Sequence, residues 1–175
     1  MPKNLVNALL FICGLSVCLL AGGTPWLALV AVALVVHLLW TSRWAAEGKL
    51  LASTLIAGSA LDSFMLQLGV FDYAEPRQLL PLWQAAMWLL LGTTLNHCLA
   101  WSARPWWKAS IFGACYGAVV YGLMGLIGNV AYPYGYTKTL LLIAVLWAGV
   151  LPALHGFAEL YRLQFEQAQR AQRRA

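Results

Sequence analysis

Long runs of hydrophobic residues, separated by short polar segments, dominate the chain. A helix that crosses a bilayer needs about 20 mainly apolar residues, and six stretches meet or approach that length. They cover residues 5–22, 24–40, 50–70, 81–101, 109–128 and 139–157. The pattern therefore predicts an all-α polytopic membrane protein, a bundle of six transmembrane helices.

Composition and charge exclude the main alternatives. Hydrophobic residues make up 62% of the chain and charged residues 10%, against about 45–50% and about 25% in an average soluble protein. A soluble domain could not bury so much apolar surface, and a disordered chain is poor in apolar residues. The net charge is +5, and the basic residues lie between the apolar runs and at the carboxyl end. We therefore predict membrane lipids, and no nucleic acid, as partners.

The basic residues predict the orientation of the helices. If the amino terminus is cytoplasmic, nine of the eleven Lys and Arg residues lie inside, and only Arg77 and Lys138 lie outside. Cytoplasmic loops carry an excess of Lys and Arg, so both termini are predicted to be cytoplasmic. The inside set comprises Lys3, Arg43, Lys49, Arg104, Lys108, Arg162, Arg170, Arg173 and Arg174.

The short connections predict a single domain. The longest, residues 71–80, is too short to hold a soluble domain. We therefore expect one transmembrane domain over residues 1–161, followed by a basic cytoplasmic tail over 162–175 that extends the last helix. Residues 1–23 also resemble a signal peptide, but their apolar run is long for a signal core, which favours a retained helix.

Asp62 is the one charged side chain expected near the middle of a predicted span. A central acid costs about 2.5–3.5 kcal/mol on insertion scales, so it should face the bundle or a wet cavity. Gly58 and Ser59, one turn earlier, would let a neighbouring helix approach closely. Two interpretations stay open: a proton-accepting or ligand-binding acid, or a hydrogen-bonded acid that locks helix packing.

A second polar group occurs in the fourth span. Its members Thr93, Asn96 and His97 are spaced three and four residues apart and would share one helix face. A threonine there can bond back to the helix backbone, which needs no function. Asp62 and His97 are expected to differ in depth by roughly 10 Å. A direct bond between them would therefore need a helix offset or a bridging water. The candidate intramembrane site comprises Asp62, Ser63, Thr93, Asn96 and His97.

The three histidines, His37, His97 and His155, fall at one predicted depth near the cytoplasmic ends of their helices. Neutral imidazoles are common metal ligands, so a three-histidine metal site at His37, His97 and His155 is an alternative. The spacing offers no HxxxH pair, and Glu159 is the only acid expected at that depth. The sequence therefore favours interfacial histidines without a metal or other cofactor. The four cysteines form no CxxC pair and are predicted to be apolar packing residues.

Small residues recur along the fifth span, at Gly113, Gly117, Gly122, Gly125 and Gly128. Small residues four positions apart let two helices touch backbone to backbone. We therefore expect this helix to pack closely against a neighbour.

Two segments carry a family resemblance. GSALDSFMLQLGVF and PLWQAAMWLLLGTTLNHCLAW resemble domain-of-unknown-function family 2878, a bacterial inner-membrane family. The likeness covers most of the chain up to Gly128, and the Thr-Thr-Leu-Asn-His string at 93–97 is its most specific part; Cys98 stands where the family usually has Ser. The resemblance implies a bacterial inner-membrane location and, because members lie near genes for fatty-acid-modifying enzymes, a connection with lipids.

Three functions are compatible with these residues. The favoured one is a structural or accessory component linked to membrane lipid metabolism, with a second membrane protein as a candidate partner and the oligomeric state open. The alternatives are a small-solute or proton-coupled carrier using Asp62, and a membrane-embedded lipid-modifying enzyme using Asp62 and His97. The soluble-enzyme motifs GxSxG, HExxH, Walker and Rossmann do not occur, which favours a non-enzymatic role.

Overall fold

A computed structural model describes residues 2–173; Met1, Arg174 and Ala175 lie outside the described residues, and with them one of the arginines predicted to face inside. The described part contains six α-helices and no β-strand. The prediction of an all-α, six-helix bundle is confirmed. The helices are α1 Pro2–Ala21, α2 Ala28–Val36, α3 Trp44–Gln67, α4 Leu82–Gly92, α5 Trp106–Leu126 and α6 Tyr136–Gln172.

The helices fall into two length classes. Four of them, α1, α3, α5 and α6, are long and apolar enough to cross a membrane. The second helical segment covers Pro25–Thr41: it opens with the 3-10 turn Pro25–Leu27 and ends in the π-helical turn His37–Thr41. Both this segment and α4 are shorter than a typical span. Large apolar side chains such as Leu39, Ile56 and Val145 are exposed on the outside of the bundle, as expected where lipid is the solvent.

Glycines let α5 lie directly against α6. A Cβ at Gly113 would sit 2.3 Å from the Trp147 carbonyl oxygen, and one at Gly117 would sit 2.4 Å from the Trp147 ring. Both distances are too short for any side chain to fit without a shift. The prediction that the fifth helix packs closely through its small residues is confirmed.

Helix α3 begins earlier than predicted. Residues 44–49 contain no proline, so the helix continues back to Trp44, and Arg43 before it has extended backbone angles. The predicted start at residue 50 was therefore wrong, and Glu47 belongs to the first helical turn. One buried stripe now runs along α3 at spacings of three and four residues, through Glu47, Leu51, Thr54, Gly58, Asp62 and Met65.

Helix α4 ends earlier than predicted, at Gly92 rather than residue 101. The hydroxyls of Thr93 and Thr94 donate to the carbonyl oxygens of Leu90 and Leu91, at 2.7 and 2.6 Å. Such bonds compete with the helical ladder. The chain then continues through turns to a 3-10 turn at Ala100–Ser102. His97 consequently lies on a turn, and the expectation of a regular helix face shared with Thr93 and Asn96 was wrong.

The bundle has two ends that we name by their contacts. At the far end the loops after α3 and α5 pair through a β-bridge between Asp72 and Ala131, and Asn129 donates to the Leu19 carbonyl at 2.7 Å. At the near end His155 bonds Ser102 at 2.9 Å. Helix α6 continues past the near end to Gln172, which confirms a helical tail; its cytoplasmic side and the domain boundary after residue 161 stay predictions.

Candidate functional site: two buried polar clusters

Asp62 lies at the centre of a closed set of hydrogen bonds towards the far end, which we call the Asp62 cluster. Its carboxyl group accepts from Gln84 Nε2 at 2.8 Å, Trp88 Nε1 at 2.7 Å and Tyr121 Oη at 2.5 Å. The side chain is 1% exposed, and among residues 2–173 no cation lies within 4 Å of it. All three donors are neutral groups on α4 and α5.

Gly58 positions the most constrained of these donors. The Trp88 ring lies against this glycine so closely that a Cβ there would be 2.0 Å from Trp88 Cδ2. Trp88 also stacks on Trp147, with ring centroids 4.9 Å apart and planes 9° apart. The indole N–H is thereby aimed at Asp62, and the prediction that Gly58 permits close helix approach is confirmed.

The space beside Asp62 is small. A cavity of about 10 Å³, lined among others by Asp62, Met87 and Trp147, adjoins the carboxyl group. One water molecule needs at least roughly 10–15 Å³ of such space. The cavity is therefore at the limit for a single water and offers no room for a solute.

A second polar cluster lies towards the near end and consists of Asn7, His37, Glu47 and His97; we call it the histidine cluster. Glu47 Oε2 is 2.9 Å from His37 Nε2, and Glu47 Oε1 is 2.6 Å from His97 Nε2. The two imidazole rings meet edge to face with centroids 5.1 Å apart. Asn7, His37 and Glu47 are 0%, 1% and 3% exposed, whereas the His97 side chain is 16% exposed.

The bonds of Asn7 determine the protonation of His37. The Asn7 Oδ1 atom accepts from the Cys98 backbone N–H at 3.3 Å, and Nδ2 donates to the Thr93 carbonyl oxygen at 3.1 Å. Turning the amide around would set donor against donor and acceptor against acceptor, so its orientation is fixed by the network. Nδ2 therefore also donates to His37 Nδ1 at 3.1 Å, and His37 carries its single proton on Nε2, pointing at Glu47.

This network bears on whether the cluster suits a metal. The ligand-type atoms of His37, Glu47 and His97 lie within 4.8 Å of one another, a spacing that admits a divalent cation. A ligating histidine, however, donates its second ring N–H to an acceptor, and Asn7 presents a donor to His37 Nδ1. The polar atoms are better matched to a hydrogen-bonded cluster than to metal coordination, and the sequence-based expectation of no metal stays a prediction.

The predicted site residues fall into different places. Asp62 and His97 belong to separate clusters with separate partners. Ser63 accepts from the Leu80 backbone N–H at 3.4 Å, and the hydroxyl of Thr93 bonds back to its own chain while its carbonyl oxygen binds Asn7. Asn96 lines a groove at the near end. The structure therefore does not join these five residues into one track.

The histidines also separate. His37 and His97 come together on Glu47, whereas His155 bonds Ser102. The expectation that Glu159 is the only acid at this depth was wrong, because the early start of α3 brings Glu47 there. Glu159 instead pairs with Arg104 at 2.5 Å.

Sequence reasoning missed several members of the two clusters. Asn7 and Gln84 are uncharged amides inside apolar runs, and a search for charged residues passes over them. Glu47 could have been found by counting backward along α3 from Asp62 in steps of three and four residues, which is the spacing of one helix face. The missed donors and acceptors are Asn7, Glu47, Gln84, Trp88 and Tyr121.

An open groove of about 780 Å³ lies at the near end, between α6 and the segment that joins α4 to α5. We call it the Trp101 groove. Trp101 and Trp106 on its rim are 58% and 71% exposed, and its remaining lining mixes apolar and charged groups. The lining residues are Leu95, Asn96, Ala100, Trp101, Ala103, Arg104, Pro105, Trp106, Pro152, His155, Gly156, Ala158, Glu159 and Arg162.

One comparison identifies relatives of this chain. A family model described as Protein of unknown function (DUF2878) matches residues 4–153. No curated protein and no solved structure matches the chain. The match covers both polar clusters and most of the Trp101 groove.

Proposed function

The chain belongs to this family of unknown function, and on that premise we propose that it is a membrane-embedded accessory protein of lipid metabolism. In this proposal the Trp101 groove holds the headgroup of an anionic membrane lipid. The protein resides in a bacterial inner membrane with the near end at the cytoplasmic face. The excess of Lys and Arg among the residues assigned to that face supports this orientation.

The charge of the groove is the observation that carries the proposal. Arg104 is paired with Glu159 at 2.5 Å, but Arg162 has no ion-pair partner within 4 Å among residues 2–173. A planar guanidinium binds phosphate through two parallel hydrogen bonds. Arg162 therefore offers an anionic headgroup a free partner inside a groove of about 780 Å³.

The rim of the groove suits a lipid rather than a soluble anion. Trp101 and Trp106 are largely exposed, and tryptophan favours the level of the lipid headgroups. Exposed apolar side chains such as Phe157, Leu160 and Leu163 continue along the neighbouring face of α6. Acyl chains of a bound lipid can lie along this surface while the headgroup occupies the groove.

The two alternatives that rest on Asp62 are less well supported. A carrier needs this acid in a wet cavity, and the space beside it is about 10 Å³. An enzyme using Asp62 with His97 needs the two within hydrogen-bond reach, and each is bonded to other partners. A dry, fully bonded Asp62 fits the accessory role, in which the acid fixes the packing of α3, α4 and α5.

Lipid analysis tests the proposal directly. The protein is purified in mild detergent, and co-purifying lipids are quantified by native mass spectrometry for the wild type, Arg162→Gln and Arg170→Gln. We expect Arg162→Gln to lose about tenfold in bound anionic lipid, because one charge-assisted phosphate contact contributes about 1.5–3 kcal/mol.

Arg170→Gln is the matched control. It makes the same change two turns further along α6, at an exposed arginine beside Glu166 and outside the groove, so the bound lipid should change little. Equal retention of anionic lipid by the wild type and Arg162→Gln would refute the groove as the binding site. An equal loss in both variants would indicate a general effect of net charge and would refute it as well.

A further inference from the structure

The histidine cluster is closed on all but one side. Asn7, His37 and Glu47 are each at most 3% exposed, and His97 is the one partly exposed member. The members come from four segments of the chain: α1, the π-helical turn after α2, the first turn of α3 and the turn after α4. His97 is therefore the member of the cluster through which Glu47 is most accessible from the surroundings.

Within this cluster His37 is fixed as a neutral donor. Its Nδ1 accepts from Asn7 and its Nε2–H points at Glu47 Oε2. A second proton on His37 would sit on Nδ1 and face the Asn7 amide hydrogens, so protonation would break this bond. Asn7 and His37 are accordingly positioning residues, which hold Glu47 without changing their own proton count.

His97 differs from His37 at the ring atom Nδ1. Its Nε2 contacts Glu47 Oε1 at 2.6 Å, while its Nδ1 has no hydrogen-bond partner in the part of the chain that the structure describes. A proton can therefore bind at His97 Nδ1 without breaking any bond in the cluster. The ring would then be an imidazolium against the Glu47 carboxylate.

We propose that Glu47 and His97 form a proton-binding site that exchanges a single proton with water at the near end of the bundle. The proton comes from hydronium or a buffer acid and adds to the Nδ1 lone pair of His97. The Nε2 proton stays in the hydrogen bond to Glu47, on either atom, and release reverses the step. No other bond forms or breaks.

The balance of charge supports this assignment. Without the extra proton the cluster carries one uncompensated buried carboxylate, which is costly in an apolar interior; with it the net charge is zero. The other members of the cluster are uncharged in this arrangement: His37 from the π-helical turn bonds Glu47, and the Asn7 amide from α1 bonds His37. Cys98, the half-buried chain neighbour of His97, bonds Asn7 through its backbone N–H. Within residues 2–173, Glu47 makes ion-pair contacts to His37 and His97 alone, so Arg43 and Lys49 supply no neutralising contact. The assignment does not depend on the Trp101 groove.

Imidazole nitrogen spectroscopy tests the proposal, because the chain has three histidines in all. Protein labelled with ¹⁵N-histidine is measured in lipid nanodiscs from alkaline to mildly acidic pH, with His155→Gln and His97→Gln for assignment. We expect His97 to pass from one ring proton to two, while His37 keeps a proton on Nε2 alone throughout. Isotope-edited infrared spectra should show the Glu47 carboxylate band shifting over the same pH range.

Two variants separate this role from a structural one. Glu47→Gln should alter the pH dependence of His97, and Asn7→Leu should release the fixed tautomer of His37, neither of which a purely packing role predicts. If these variants do not fold, the wild-type nitrogen and infrared spectra decide alone. Titration of His37 instead of His97, an infrared band of Glu47 that ignores pH, or a stoichiometric transition metal in the purified protein would each overturn the proposal.

Discussion

Two buried acids, Asp62 and Glu47, lie on the same buried stripe of α3 and have hydrogen-bond partners of different kinds. Asp62 accepts from three neutral donors, Gln84, Trp88 and Tyr121, whereas Glu47 contacts two imidazoles. Phenol, indole and amide donors keep their protons at ordinary pH, while an imidazole gains or loses one. The same type of carboxyl group is therefore a fixed structural centre at one position and, at the other, the partner of an imidazole that can exchange a proton.

The backbone that supplies the partners of Asp62 also differs from the backbone that supplies the partners of Glu47. The donors to Asp62 project from the regular helices α4 and α5 and are held by a stack of Trp88 on Trp147. The partners of Glu47 come from places where the regular helix is interrupted, at the π-helical turn that begins with His37 and at the turn carrying His97. Interrupted helices free backbone groups such as the Thr93 carbonyl, which Asn7 then uses.

The largest effect should come from disturbing the Asp62 cluster through its backbone contact. Gly58→Ala places a Cβ about 2.0 Å from Trp88 Cδ2, so the indole must shift, which disturbs both its bond to Asp62 and its stack on Trp147. Overpacking of this kind costs typically about 1–3 kcal/mol, and the lost indole bond adds to it. We expect Gly58→Ala to lose about 3 kcal/mol in unfolding free energy, measured by thermal unfolding in detergent.

Gly149→Ala is the matched control for that change. Gly149 also lies inside a helix, and a Cβ there would meet nothing within 4 Å. Its stability should change by less than about 1 kcal/mol, in the stabilising direction. Similar unfolding of both variants would contradict the view that Trp88 is held against Gly58.

A smaller effect should follow Asp62→Asn. The amide oxygen can still accept from Gln84 and Trp88, and the Tyr121 hydroxyl can reverse its hydrogen to accept from the amide nitrogen. We expect a loss of about 1–2 kcal/mol in unfolding free energy, and retention of the helical fold by circular dichroism. Asp72→Asn, at a far-end loop acid that accepts from the Tyr73 backbone N–H, should be near neutral. Equal stability of Asp62→Asn and the wild type would contradict a locking role.

The positions of the helices could be predicted from sequence because apolar runs set them, and the close packing of α5 could be predicted from its glycines. The pairing of polar groups across helices could not. Helix ends depend on single residues, and moving the start of α3 from residue 50 to Trp44 is what brings Glu47 to His37 and His97. Hydropathy does not detect such an end, because an acid and a lysine close to the boundary look like a loop.

The relative register of helices was the second obstacle. Nothing in the spacing of α1 indicates that Asn7 reaches the turn after α4, since that contact depends on how the two helices pack. The five residues of the predicted track were correctly identified as polar groups inside apolar runs. Asp62 and His97 belong to separate clusters, Asn96 lines a groove, and the hydroxyls of Ser63 and Thr93 bond backbone groups. This division depends on partners that spacing along one helix does not show.

The smallest effect should come from the outermost bond of the Asp62 cluster. The Tyr73 hydroxyl donates to Gln84 Oε1, which orients the amide whose nitrogen donates to Asp62. Tyr73→Phe removes this bond and should cost about 0.5–1.5 kcal/mol in unfolding free energy. Tyr134→Phe, which removes the bond of an exposed tyrosine to the Leu68 carbonyl, should cost less.

The effect of Tyr73→Phe should also be independent of pH over the ordinary range. Burial, with the nearby Asp62 as a second cause, raises the pKa of the Tyr73 hydroxyl. A group whose pKa is raised on folding contributes its full stability below the pKa of the unfolded chain, about 10 for tyrosine, and loses it only as pH rises above that. The difference between the wild type and Tyr73→Phe should therefore be the same at acidic and neutral pH. A difference that shrinks on acidification would mean that Tyr73 is coupled to a titrating carboxyl group, and Asp62 would then not be a fixed structural centre.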